Sequence, residues 1–363
     1  MRRLTYLFKR LLLGVPVVVF GVTTSFVILY VGPLDPVLSI LGQDATPADA
    51  RRLRLQLGLI YPNGQPVPLW DQYFMVVSDL VTFDFGQSWS INRGVSVTEV
   101  IKGRLPATLW LGWWSVVVAL LFGIPIGLYA GLRANTLRDY FASGGGIVWR
   151  AMPNFWLAVM ISGVLSAGGA LSWYPDFITE TPVVGTPGSI RNLFTVHDPF
   201  GGVPVLDVLV VPVPNIFEMG VAFKWILPAA LVLGSASMGN EIRIGRTAVL
   251  ESINSKYVET AKAKGLSTRT IIAKHVGRNA VVPLLPVIMG EFYLLIGGAL
   301  LVEKVFAING LGYLFFRAVL DADIPVVMAL VYIFVLIQVL FNITQDFLYT
   351  FIDPRIALDG GES

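Results

Sequence analysis

Tyr257-Val258-Glu259-Thr260-Ala261-Lys262-Ala263-Lys264-Gly265-Leu266-Ser267 is the stretch on which the reading of the fold depends. Tyr257 to Lys264 is a short run of good helix formers. Gly265 is placed to take the left-handed conformation that closes such a helix. Ser267 can then cap a second helix, with Ile271, Ile272 and Val276 along one stripe. The spacing predicts a stub helix, a tight corner and a second helix. Two readings stay open on these residues alone: a solvated basic loop, or a rigid stub that a partner grips and pushes.

On both sides of this stretch the chain turns apolar. A spanning helix needs about 20 mostly apolar residues, at ~1.5 Å each, to cross ~30 Å of hydrocarbon. Six runs qualify: Leu11–Val31, Pro106–Gly131, Phe141–Leu171, Lys224–Ile244, Ala280–Val302 and Pro325–Phe351. The third contains Gly144-Gly145-Gly146 and Pro153, which predicts a kink or a re-entrant path. Pro16, Pro125, Pro228, Pro283 and Pro286 also fall inside spans, where neighbouring helices can re-satisfy the freed backbone groups. Together with Gly290, Gly297 and Gly298, the last two of these make the fifth run a bendable, closely packed wall. Behind the basic head Arg2, Arg3, Lys9 and Arg10, the first run is too long for a signal peptide. Gly32-Pro33-Leu34-Asp35-Pro36 is no cleavage site, so the run reads as a retained anchor.

Composition agrees. The chain is 55% hydrophobic and only 14% charged, where a soluble domain averages about a quarter charged. A net charge of +2 is too small to argue for nucleic acid. The absence of cysteine excludes disulfides, thiolate metal sites and a cysteine nucleophile. His197 and His275 lie in no metal-ligand spacing and read as ordinary loop or helix-surface residues.

Basic loops stay in the cytoplasm. The segment after the fourth run carries Lys256, Lys262, Lys264, Arg269, Lys274 and Arg278 against Glu251 and Glu259. The segment after the third has Arg191 alone against Asp176, Glu180, Asp198, Asp207 and Glu218. With an even number of spans, both termini fall inside. The segment from Gly32 to Leu105 is then outside despite Arg51, Arg52 and Arg54, because long loops are weak voters. Ser172–Phe223, rich in Pro, Gly and Val, reads as irregular with a short strand pair. It serves either as a structural cover or as a seat for an exterior partner. Trp110, Trp113 and Trp114 read as an interfacial belt at the outer end of the second span.

Glu259-Thr260-Ala261, then Gly265, then Arg278-Asn279-Ala280 and Pro283 resemble the E-A-A…G…P loop of binding-protein-dependent ABC import permeases. Further segments resemble the B-type permease of the dipeptide/oligopeptide branch, along nearly the whole chain. They are Leu53 to Gly58 with Gln72-Tyr73, Phe85-Gly86-Gln87-Ser88 and Arg104-Leu105-Pro106-Ala107-Thr108-Leu109. Val302-Glu303-Lys304-Val305-Phe306, Gly310-Leu311-Gly312, Asn342, Asp346 and Asp353-Pro354-Arg355-Ile356 complete the series. The loop reads Glu-Thr-Ala for Glu-Ala-Ala. Ile308-Asn309-Gly310 stands for the usual Trp-Pro-Gly, Ala322-Asp323 for Arg-Asp, and Glu291 for a frequent amide. The segment Ser172 to Phe223 is longer than the usual connection.

The resemblance implies an all-α membrane protein with six transmembrane helices, the type I ABC importer permease fold and extracytoplasmic insertions after helices 1 and 3. Its divisions are a cytoplasmic N-terminus with the first transmembrane helix (1–31), an extracytoplasmic segment (32–105), a core permease domain (106–353) and a cytoplasmic tail (354–363). Within the core lie the insertion 172–223 and the coupling loop 248–278. By resemblance, Glu259, Thr260, Ala261, Gly265 and Leu266 form the coupling helix that docks on a separate ATPase subunit. The chain itself contains no phosphate-binding loop of the G-x-x-x-x-G-K-[ST] type. No cofactor is expected in it: ATP and Mg belong to two partner ATPase subunits. Other implied partners are a C-type sister permease in a heterodimer, an extracytoplasmic substrate-binding protein and the lipid bilayer, in the plasma membrane. Peptides are the first cargo the resemblance implies, with oligosaccharides or metal chelates as alternatives.

Glu291 stands near the middle of a predicted span, where a carboxylate marks a candidate path residue. It lines a water-filled cavity, or it packs against a second permease subunit. Asn342 and Gln338 face the same choice. Asn240 and Glu241, with Arg243 and Arg246, end the fourth span as an ion-pair network or an inner gate. An ion-driven secondary transporter, the alternative of a different class, would show an internal repeat, and none is visible. No paired catalytic groups within the spans point to an enzyme, and no filter-like loop points to a channel.

Overall fold

A computed structural model of the chain describes residues 2–32, 35–42, 46–166, 168–171, 194–197, 211–214, 216–280, 282–291 and 300–352. They divide into two compact units, one of residues 1–105 and 311–363 and one of residues 106–310.

The first unit is organised by two long helices, α1 (Arg2–Val31) and the terminal helix Ile324–Ile352. Arg10 pairs with Asp346 at 3.1 Å. Further along, a side chain on Gly14 would press on Val339 and one on Gly21 on Val335. Positions rise along α1 as they fall along the terminal helix, so the pair is antiparallel. Val22, Phe26 and Leu29 share its core with Val326 to Leu330. Between them lie α2 (Pro36–Leu41), α3 (Pro47–Gln56) and α4 (Leu69–Thr82). Asp35 caps α2 by accepting from the Val37 N–H at 2.8 Å, and it pairs with Arg54 of α3 at 3.1 Å. Thr46 caps α3 in the same way through Asp49 N–H.

The second unit is built on one spine. The boundary between the units falls within α5 (Val97–Val118), which begins upstream of Pro106 rather than at it. A wide π turn, Ala119–Gly123, follows, and then α6 (Ile124–Leu132). The turn lies directly before Pro125, whose missing N–H leaves the Leu121 carbonyl without its usual donor. α7 (Leu137–Ala151) and α8 (Asn154–Leu165) meet at 95°. Met152 is extended there because it precedes Pro153, which is where the expected kink lies. β1 (Phe194–His197) and β2 (Val211–Pro214) pair antiparallel, with Phe194 opposite Pro214. α9 (Ile216–Ile253) is the spine, 38 residues long. It continues past the expected membrane limit at Ile244, and α10 (Lys256–Ala263) follows its end.

Glycines bring α6 onto α9. At Gly127 an added Cβ would stand 2.9 Å from both the Glu241 carbonyl and the Ile242 Cα. At Gly131 it would stand 2.6 Å from Val249, and at Gly245 it would lie 3.3 Å from the Gly127 backbone. Gly123 faces the Glu241 carboxyl group itself. Gly123, Gly127 and Gly131 repeat at intervals of four, the small-residue spacing of close helix pairs in membranes. The sequence reading took Pro125 from this segment and passed over the repeat.

Four helices among the described residues are long and apolar enough to cross a membrane. Their mean hydropathies are 2.3 for Phe8–Val31, 2.1 for Val97–Leu132, 1.3 for Ala222–Ile253 and 2.7 for Ile324–Phe347. The bent α7–α8 pair adds a fifth if it is one broken span. The expected span Ala280–Val302 is described only to Glu291 and again from Leu300, and Gly297 and Gly298 lie outside the described residues.

The tryptophan belt is corrected. With α5 starting at Val97, Trp110 lies well inside the helix, and Trp110 and Trp114 turn inward against Leu111, Leu157 and Phe306. They meet edge to face at 5.7 Å, and Trp114 also packs on Phe223. Only Trp113 is exposed.

Replacing Gly127 by Val should force α6 off α9 and cost roughly 1–3 kcal/mol, as overpacking does. Gly144→Ala, inside α7 at a position where an added Cβ meets nothing within 4 Å, should hold stability or raise it by up to about 1 kcal/mol. Thermal unfolding of the two variants in mild detergent checks this. Equal midpoints would mean that the glycine contacts do not hold the pair together.

Candidate functional site

The stub helix forms as its spacing predicts. α10 spans Lys256–Ala263, and Gly265 has φ +74°, left-handed. Gly265 N–H donates to the Lys262 carbonyl at 2.9 Å and Leu266 N–H to the Ala261 carbonyl at 3.3 Å. This pair of bonds is a Schellman closure, and it satisfies carbonyls that the helix end would leave bare. Space does not require glycine here, since an added Cβ meets nothing within 4 Å; the backbone angle does. Ser267 then caps the next helix by accepting from the Thr270 N–H at 3.3 Å.

That second helix differs from expectation in its winding. Thr268–Thr270 leads into a π-helical stretch, Ile271–Gly277, and then Arg278–Ala280. The wider turn aligns Ile271 with Val276, five positions on, and both are buried while Ile272 is half-buried. The buried stripe is therefore narrower than a 3.6-residue repeat predicts.

One face of the stub is fixed and the other is free. Val258 and Ala261 are buried with Ala248, Val249, Ile271, Val276 and Ala280. The Tyr257 hydroxyl meets Ser252 Oγ at 2.6 Å. Burial disfavours the Tyr257 anion, but hydrogen bonds from Ser252, Ser255 and Asn279 outweigh it and set the hydroxyl below its ordinary value. One side chain thus ties the end of α9, the corner and the Arg278-Asn279-Ala280 segment together. Glu259, Thr260, Gly265 and Leu266 face outward. Thr260 Oγ1 donates back to the Lys256 carbonyl at 3.0 Å, whereas the Glu259 carboxylate has no partner among the described residues. Of the five residues expected to couple, only Ala261 belongs to the buried face.

The polar groups of the spans fall into two kinds. Among the described residues, Glu241 on α9 is fully buried with neither carboxylate oxygen hydrogen-bonded, and Glu291 is 6% exposed, hydrogen-bonded with Ser237 and with Oε2 unpartnered. The two carboxylates lie within electrostatic reach of one another. Asn240 accepts from Arg243 at 3.1 Å and from Arg150 at 3.4 Å. Arg246 forms a bidentate pair with the buried Asp139 of α7, at 2.6 and 2.8 Å. Sequence reasoning placed Arg246 in a network and missed its partner. Asn342 and Gln338 share an exposed face of the terminal helix, away from Glu241 and Glu291 in the chain.

Two carboxylates that the sequence analysis quoted as motif members, without a role, anchor motif segments. Asp323 is fully buried and accepts from Ser88 Oγ at 2.5 Å. It also accepts from the backbone N–H groups of Trp89, Ser90 and Ile91 at 3.0, 3.1 and 3.0 Å. Glu303, also fully buried, accepts from Thr108 Oγ1 at 2.9 Å, and a side chain on Gly310 would collide with both. The Phe85-Gly86-Gln87-Ser88, Arg104–Leu109, Val302–Phe306 and Gly310-Leu311-Gly312 segments are thus pinned by charge-assisted hydrogen bonds or by the room a glycine leaves.

Comparison with known proteins accords with this geometry. A family model described as the binding-protein-dependent transport system inner membrane component matches residues 123–358. The dipeptide transport system permease protein DppB of Alkalihalophilus pseudofirmus is 31% identical, over 97% of this chain and 99% of its own length. The oligopeptide transport system permease protein AppB of Bacillus subtilis is 31% identical over 97% of this chain and 98% of its own. The inner membrane ABC transporter permease protein YejB of Escherichia coli O157:H7 is 28% identical over 98% and 99%. A match over most of the chain and relatives of this identity along nearly all of it place this multi-pass membrane protein in the family of binding-protein-dependent transport system inner membrane components.

Proposed function

We propose that the chain is the permease subunit of an ATP-driven importer, forming half of the path for peptides that an extracytoplasmic binding protein delivers. It is a transport component rather than an enzyme. The peptide cargo is proposed from the dipeptide and oligopeptide transport systems to which the relatives belong. ATP and Mg would be held by two partner ATPase subunits, and the other half of the path by a C-type sister permease.

The observation that carries the reading is the stub α10. Its inner face is packed on α9 and its outer face presents a carboxylate, Glu259, that has no partner among the described residues, beside a glycine-closed corner. Glu259 would receive charge-assisted hydrogen bonds from an ATPase groove, while Thr260, Gly265 and Leu266 form the contact surface and Ala261 keys the stub to α9. Closure of the ATPases on ATP would then displace the stub, and with it α9.

The antiparallel pairing of α1 with the terminal helix supports an even number of spans, because the start of one and the end of the other lie together. Six spans with both termini cytoplasmic is the reading that also leaves the basic loop around α10 inside. On that reading residues 1–31, 32–105, 106–353 and 354–363 are the first span with its head, an exterior segment, the core and a tail. Residues 172–223 form the second exterior insertion. Glu241 and Glu291, with Asn240 and Asn342, are the proposed path residues. An unpartnered carboxylate within a span is costly, and a cationic amino group in transit would offset that cost.

Gly265→Val forces a β-branched residue into a left-handed conformation, at a cost of about 1–2 kcal/mol. Cargo-stimulated ATPase activity should fall to the basal rate while membrane insertion stays normal, and Gly265→Asn should retain part of the stimulation because asparagine tolerates that conformation. Undiminished stimulation in the valine variant would remove the stub from the coupling path. For the path residues, Glu291→Gln should slow uptake of peptides with a free amino terminus roughly ten- to a hundredfold, the worth of one charged hydrogen bond. Unchanged uptake kinetics would take Glu291 off the path.

A further inference from the structure

The helix α4, in the segment between the first two spans, carries more exposed apolar surface than an exterior segment in water accounts for. Its side chains fall on three faces. Tyr73, Val76 and Leu80 turn toward the core of the first unit. Asp71, Ser78 and Thr82 form an exposed polar face. Between these lie Trp70, Phe74 and Val81, which are 73%, 63% and 65% exposed. Trp70 and Phe74 stack at 6.3 Å and so form one continuous ridge. The neighbouring α3 shows the contrast: Arg51, Arg52 and Arg54 dominate it, and it buries nothing.

Depth decides what covers the ridge. The Tyr73 hydroxyl bonds Thr23 Oγ1 at 2.7 Å, and its ring meets Phe26 edge to face at 5.2 Å. Thr23 is eight residues before the end of α1 at Val31, about 12 Å below that end at 1.5 Å per residue. At the other end of α4, Phe83 packs on Tyr332 at 5.8 Å. Tyr332 is eight residues into the terminal helix from Ile324, again about 12 Å. Leu29, Tyr30 and Ile324 line a common cavity, so the two spans end at one level. Both ends of α4 are therefore held against spanning helices at the same depth below their ends. On α1, Val27, Ile28 and Val31 are likewise exposed apolar side chains.

We propose that α4 lies in the plane of the membrane interface, with Trp70, Phe74 and Val81 among lipid acyl chains and Asp71, Ser78 and Thr82 toward water. The partner of this surface is the bilayer itself. The helix carries Asp71 and Asp79 and no basic residue, so apolar insertion holds it there rather than attraction to anionic headgroups. Which leaflet it occupies follows from the orientation proposed above; the embedding does not depend on it.

The chain has no native cysteine, so Trp70→Cys, Phe74→Cys, Val81→Cys and Ser78→Cys each place one nitroxide on this subunit in the assembled importer. The probe is a phosphatidylcholine vesicle, and the readout is spin relaxation by oxygen, which concentrates in lipid, against a water-soluble nickel chelate. Oxygen should dominate several-fold at positions 70, 74 and 81, and the ratio should reverse at 78. Nickel-dominated relaxation at 74 and 81 would overturn the proposal by placing the ridge in water. Low accessibility to both reagents would overturn it by showing that a protein subunit covers the ridge. Labelling of Ser78→Cys by a membrane-impermeant maleimide reports the leaflet separately, so an error in orientation is distinguishable from an error in embedding.

Discussion

Within a bilayer, apolar side chains gain little by turning from lipid to protein, so helices hold together by close backbone approach and by polar contacts. In the second unit that approach is the contact of α6 with α9 across Gly123, Gly127, Gly131 and Gly245. Much else in the unit stands on it. Gly123 leaves the volume that the Glu241 side chain fills, and Gly131 lets Val249 close on α6. Val249 in turn belongs to the cluster that receives Val258 and Ala261 of the stub. A methyl group added to the seam would be felt at a buried carboxylate and, through Val249, beneath the stub α10.

Carboxylates divide the molecule by how well they are satisfied. Asp323 accepts four hydrogen bonds, three from consecutive backbone N–H groups, and fixes a turn that has no helix to support it. Asp139 is matched by the fork of Arg246. Such groups recover the cost of burial locally, which makes them structural. Glu241 has the same chemistry and, among the described residues, none of the partners. Asp323 and Asp139 are satisfied where Glu241 is not, and that contrast, with the partly satisfied Glu291 nearby, is the physical reason for proposing the two glutamates as path residues.

What the sequence made legible was what depends on neighbours in the chain. Apolar length gave the helices, Pro153 gave the bend, and helix formers followed by Gly265 gave α10 nearly to the residue. The motif series gave the family. Longer-range contacts were not legible. Nothing near Ser88 announces Asp323, because the partners are 235 positions apart and meet only in the folded chain. The two π-helical stretches were missed because periodicity arguments assume one winding. Trp110 and Trp114 were misread because Pro106 was taken as a helix start, although the helix runs through it. The glycine repeat at 123–131 was legible and was passed over, since attention to Pro125 as a breaker hid the spacing around it.

The continuity of α9 bears on how a pull on the stub could reach the path. Ile253, where α9 ends, is twelve residues from Glu241 on the same helix, about 18 Å at 1.5 Å per residue. The stub cannot swing freely about that end, because Val258 and Ala261 are buried against it and Tyr257 is bonded to Ser252. A force on the outer face of α10 is therefore delivered to α9 as a body rather than absorbed at the corner. The surface that such a movement would engage is the glycine seam, where the Glu241 and Val249 side chains of α9 fill the room left by Gly123 and Gly131. The carboxylate at Gly123 lies on that same surface. If the stub is where the motor acts, Glu241 is the proposed path residue that its displacement reaches without passing through a second helix.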